Sequence, residues 1–158
     1  MIFTSYFAKT KKFPDNFIPI SVSQWPPKGY KGLECKILAP TKEILLSYKN
    51  NNESEEIKKE NYTRDYKKDI LAGMNFKSLL KDLEDKLSED VLDNLETEDI
   101  WTSQQIHLVF TCFEKSGDFC HRNFIAEEMR KQGIPCKELD DTDLVKMGLQ
   151  LGYQAPER

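Results

Sequence analysis

The stretch from Ile106 to Leu139 constrains the fold more than any other part of the chain. It opens with IHLVFTCFE (106–114), a near-continuous apolar and β-branched run, the pattern of a strand covered on both faces. EKSGD (114–118) follows with turn residues. FCHRNFIAEEMRKQ (119–132) places Phe124, Ile125, Ala126 and Met129 at helical spacing, and Gly133 stands as a C-terminal stop. IPCKEL (134–139) reads as a further strand. Strand, tight loop, helix and strand in succession form a βαβ unit, and such a crossover joins parallel strands with a right-handed connection. The unit predicts a Rossmann-like α/β fold: one domain over residues 1–158, with a small, mostly parallel sheet and flanking helices.

The remainder fits that plan. MIFTSYFA (1–8) and FIPISVS (17–23) read as strands, with turn chemistry at Pro14, Asp15 and Asn16 between them. Pro19 points the second strand towards an edge or a bulge. QWPPKGYKG (24–32) is a loop in which Trp25 and Tyr30 serve as core anchors or as ligand contacts. Thr41 caps a helix over 41–49. Residues 49–69 hold six charges of each sign, and 54–71 reads as an exposed helix carrying Ile57, Tyr62 and Tyr66, interrupted at Gly73. Phe76, Leu79, Leu80, Leu83 and Leu87 form one apolar helical face. Ser88 caps a further short piece to about residue 97, and 141–158 reads as a short helix and a fraying tail.

Charge and cysteine usage narrow the function classes. The net charge is −4 over 158 residues, but residues 1–50 carry eight lysines against Asp15, Glu34 and Glu43. Residues 81–99 carry nine acids against Lys81 and Lys86, so that surface repels a polyanion and makes nucleic acid an unfavoured main partner. No apolar run approaches the roughly 18 residues of a membrane span. The first residues lack a basic start before an apolar run, so no secretory leader is expected and the cytoplasm is the default address. The four cysteines, at 35, 112, 120 and 136, include no C-x-x-C pair, and His107 and His121 are the only histidines. A structural zinc site is therefore not expected, and free thiols are. Nothing in the motifs specifies a cofactor or an oligomeric state.

The loop from Cys112 to Arg122 carries the chemistry. Ligands of open α/β sheets sit at the carboxyl ends of strands. Asp118 is placed to cap the helix, which puts Cys120, His121 and Arg122 in its first turn. There the free N–H groups and the dipole favour an anion and lower a thiol's pKa. Cys120 is then the candidate nucleophile, His121 an acid or base, Arg122 a clamp for phosphate or carboxylate, and Glu114 a base or an orienting partner for Arg122. The phosphatase spacing of Cys, five residues and Arg starts from neither Cys112 nor Cys120. The same residues also suit a binding module without catalysis, or a structural pair of Arg122 with Glu114 or Glu127. Whether Cys112 and Cys120 form a redox pair depends on a Cα separation of under about 7 Å.

The chain resembles the domain of unknown function 488 family. The resemblance lies in Ile2–Phe7, Ile20–Ser23, Pro26-Pro27, Tyr30–Gly32, Leu38–Pro40, the region of Tyr62 and Tyr66, and most specifically in Cys112-x-Glu114 followed by Cys120-His121-Arg122. It implies an α/β domain with a site at that loop, formed by Cys112, Glu114, Cys120, His121 and Arg122, and it supplies no particular reaction. Thr4, Ser5 and Tyr6, at a strand's carboxyl end, are expected to face the same crevice. The ligand these residues suggest is a small anion, phosphate-bearing or nucleotide-like.

Overall fold

The computed structural model describes residues 1–92 and 106–149. Five strands form one sheet among them: β1 (Ile2–Tyr6), β2 (Phe17–Ser21), β3 (Leu33–Glu34), β4 (His107–Cys112) and β5 (Cys136–Glu138), in the order β3-β2-β4-β1-β5. Every neighbouring pair is parallel. The sheet therefore has all its carboxyl ends along one edge, and that edge carries Tyr6, Ser21 and Cys112. The helices are α1 (Lys42–Lys49), α2 (Glu55–Tyr66), α3 (Phe76–Leu92), α4 (His121–Lys131) and α5 (Asp141–Leu149). The α/β architecture read from the βαβ unit is the architecture found. One detail is new: β4 and β5 are not neighbours, because β1 lies between them.

β4 is buried at every position, as its unbroken apolar run requires. Its alternate residues serve two cores. Leu108, Phe110 and Cys112 join Ile20, Val22, Tyr62, Tyr66, Ile125 and Met129 under α1–α4. Val109 faces the other way, with Phe3, Phe17, Leu139 and Leu144 of α5. Pro19 is accommodated as an edge residue. β3 pairs only with Ile20 and Ser21, so Pro19 owes no ladder bond on that side.

Several local expectations need correction. The first strand stops at Tyr6 rather than at residue 8, and Phe7–Lys12 form a 3₁₀ helix ahead of the turn at Asp15 and Asn16. α3 runs on through position 88 to Leu92; the remainder of the expected helical piece, to residue 97, and the tail from 150 lie outside the described residues. The helix expected over 54–71 is α2 followed by a single π turn, Lys67–Leu71, and it is not an exposed helix throughout. Ile57 is exposed, but Tyr62 and Tyr66 are buried. They sit four apart on one face, and the Tyr66 hydroxyl donates to the Leu38 carbonyl at 2.7 Å. Tyr30 anchors its loop by donating to the Leu33 carbonyl at 2.8 Å. No helix among the described residues is long and apolar enough to cross a membrane.

Candidate functional site

Cys112 closes β4, and the loop after it returns the chain to α4 within nine residues. Cys120, not Asp118, is the N-cap of α4, with extended backbone and no side-chain capping bond. Asp118 instead closes a turn, its N–H donating to the Lys115 carbonyl at 3.1 Å. Cys120 thus sits one residue before the helix, and its sulfur meets groups from β4 and from α4.

Those groups form a compact cluster. The sulfurs of Cys112 and Cys120 and a ring nitrogen of His121 all lie within 4.8 Å of one another. His121 Nδ1 is 3.8 Å from Cys120 Sγ and 3.9 Å from Cys112 Sγ. Its Nε2 stands 2.7 Å from the Val22 carbonyl. A carbonyl oxygen only accepts, so Nε2 carries the proton and Nδ1 faces the sulfurs. The Cys112 thiol donates to Glu114 Oε2 at 3.2 Å.

That proton goes to Glu114, and the Cys120 sulfur lies within 4.8 Å of the Cys112 sulfur. Hydrogen bonding from Cys112 is the chief reason that the Cys120 thiol is lowered to about 6; burial opposes it, and His121 reinforces it. Cys112 moves the opposite way, raised by its bond to Cys120, by burial and by Glu114. For Glu114, burial acts to raise the carboxyl, but hydrogen bonding at the thiols, Cys112 first, outweighs it and holds the group below its ordinary value. The two neighbouring thiols are therefore driven apart, Cys120 downward and Cys112 upward. Cys35 and Cys136 are pushed up to about 11 by burial and take no part. All four thiols are free.

The cluster lines a cavity of about 530 Å³. Trp25, Tyr48, Tyr62 and Phe119 supply its aromatic walls, with Glu114 and Lys49 among the polar groups. Phe119 stacks on Tyr48 and meets Tyr62 edge-on, with centroids 5.9 and 5.4 Å apart. The ammonium groups of Lys58 and Lys59 lie 5.9 and 5.6 Å from the Tyr48 and Phe119 ring centres. Trp25, one of the residues read as an anchor or a ligand contact, is exposed and borders this cavity.

Arg122 is placed differently from expectation. It is wholly buried, and its carboxylate partner is Glu138 of β5, which the sequence reading did not single out. Nε donates to Oε1 at 3.0 Å, Nη2 to Oε2 at 2.8 Å, and Nη1 to the Glu114 carbonyl at 2.6 Å. Thr4 and Ser116 hydroxyls add bonds to the same carboxylate, each at 2.7 Å. Burial alone acts to raise the Glu138 carboxyl, but these donors, Arg122 first, hold it below its ordinary value. Glu114 therefore orients Arg122 through its backbone, and its side chain belongs to the thiols.

Thr4, Ser5 and Tyr6 do not converge on the thiols. Thr4 serves the Arg122–Glu138 pair. Ser5 alternates onto the opposite face of β1, where its hydroxyl is buried without a partner. Tyr6 pairs in register with Cys112, but none of the three borders the cavity. No family model, curated protein or solved structure matches the chain.

Proposed function

We propose that the chain is a thiol-dependent protein that takes a small ligand with a planar apolar body and an anionic group into the aromatic cavity, against the Cys120 sulfur. The observation that carries this reading is the order Cys120 Sγ, His121 Nδ1, Val22 carbonyl: a sulfur on the cavity wall, a ring nitrogen 3.8 Å away, and an acceptor that fixes the ring. A nucleophile, its proton partner and an orienting group are the parts that covalent catalysis needs. Cys112 and Glu114 set the charge on Cys120. The aromatic walls suit a base-like ring, and Lys49, Lys58 and Lys59 around them supply the positive charge that an anion needs. Arg122 leaves the ligand set in this reading and becomes the brace that fixes the loop. The resemblance to the domain of unknown function 488 family supports the same loop, through Cys112, Glu114, Cys120 and His121.

Cys120 is only 3% exposed, so a reagent reaches it through the cavity. Iodoacetamide labelling of Cys120, read by mass spectrometry, is expected to slow in the presence of a nucleoside monophosphate. The matching uncharged nucleoside is expected to protect less, and Lys49→Ala to narrow the difference. Labelling that neither compound slows counts against the ligand class. Labelling absent altogether counts against the reactive thiol.

A further inference from the structure

We propose that Cys112, Cys120 and His121 form a three-donor binding site for a thiophilic divalent ion of the zinc class, and that the bound ion silences the thiol. The silencing rests on the reading of Cys120 as a reactive thiol; the binding does not.

In tetrahedral zinc sites the metal lies about 2.3 Å from sulfur and 2.0–2.1 Å from nitrogen, which sets a sulfur–nitrogen edge of about 3.6 Å. The two edges from His121 Nδ1 measure 3.8 and 3.9 Å, so the donors stand near coordination spacing. His121 also has the outer contact typical of a metal-bound histidine. Its far nitrogen is tied to the Val22 carbonyl at 2.7 Å, which leaves the Nδ1 lone pair directed at the sulfurs. Glu114 Oε2 lies 3.2 Å from Cys112 Sγ but outside the three-donor cluster, so the fourth position is left for water. The spacing in sequence gives no sign of this. Cys112 comes from the end of a strand and the Cys120-His121 pair from the start of a helix, and only the fold brings them together.

Binding converts both sulfurs to metal-bound thiolates and releases whatever protons they carry, so affinity falls as pH falls. No oxidant is required and no carbon bond changes. The lone pairs of Cys120 are then held by the ion, and alkylation stops.

The test uses the reduced full chain. Zn²⁺ is titrated against a chromophoric chelator, and iodoacetamide labelling of Cys120 is followed with and without the ion. Expected are one Zn²⁺ per chain, labelling slowed about tenfold or more and restored by a chelator, and no effect of Mg²⁺, whose preference is for oxygen donors. Cys112→Ser and Cys120→Ser should each weaken binding by about 100-fold, a loss of about 2.7 kcal/mol, while Cys35→Ser leaves it unchanged. The Co²⁺ complex of the unsubstituted chain should show tetrahedral thiolate absorption, a readout independent of whether the variants fold. No Zn²⁺ binding, with Cys120 still reactive, overturns the metal site and leaves the thiol reading standing. Zn²⁺ binding with Cys120 inert in the metal-free chain overturns the silencing and the thiol reading, and leaves the metal site. Binding by both serine variants as tight as in the unsubstituted chain also overturns the site.

Discussion

Glu138→Gln is expected to destabilise the fold by about 3–5 kcal/mol, the cost of leaving a buried guanidinium without its counter-charge. Arg122 has no exposed surface, whereas the Glu138 side chain keeps 28% of its own. The two single substitutions should therefore be unequal. Arg122→Met strands a carboxylate that water partly reaches, and should cost less. Arg122→Met combined with Glu138→Leu should recover much of the loss, because an apolar pair carries no desolvation penalty. Glu114→Ala should change stability by only about 0.5 kcal/mol or less, since Arg122 uses the Glu114 backbone and not its side chain. Urea unfolding of the four variants gives these values. An Arg122→Met loss larger than that of Glu138→Gln, or a large loss in Glu114→Ala, goes against the assignment. The pH dependence has a definite sign. The Glu138 carboxyl lies below its ordinary value in the fold, so its contribution is complete above the unfolded pKa, about 4.3, and is lost as pH falls through the folded value.

Cys112→Ala is expected to raise the midpoint of Cys120 alkylation from about 6 towards the free-thiol value of about 8.5. The hydrogen bond from Cys112 is the largest influence lowering the Cys120 thiol, ahead of His121. His121→Gln should therefore move the midpoint the same way by less. Glu114 acts in the opposite direction, so Glu114→Gln should lower it. The midpoint is the quantity to read, because a less acidic thiolate is also a better nucleophile and partly masks the change in rate at fixed pH. If the Cys112→Ala midpoint stays where it is in the unsubstituted chain, the donor role of Cys112 is wrong.

The βαβ half of the fold was legible because β4 is covered on both faces and must be apolar at each position. The clustering of Cys112, Glu114, Cys120 and His121 was legible because they fall at a strand end and a helix start joined by one short loop. What stayed hidden depends on long-range pairing. Glu138 meets Arg122 only because β5 pairs with β1 rather than with β4, which brings Thr4 opposite Glu138. A lone glutamate in a short strand announces none of this; its one signal was a charge at the carboxyl end of a strand beside a buried arginine. Asp118 was misplaced as a cap because Cys120 takes the N-cap position with no side-chain bond of its own. Tyr62 and Tyr66 were hidden by the charge around them. Their helix has no net apolar face by composition, and only the four-residue spacing of two tyrosines marks the side that packs on Phe119 and His121.

The most direct test of the account is the pH profile of iodoacetamide labelling at Cys120 in the reduced, metal-free chain, with Cys35 and Cys136 replaced by serine. The expected result is a half-maximal pH for Cys120 below the ordinary thiol value, with Cys112 unmodified over the same range. A midpoint at the ordinary thiol value, or a Cys120 that does not react while Cys112 does, would contradict it.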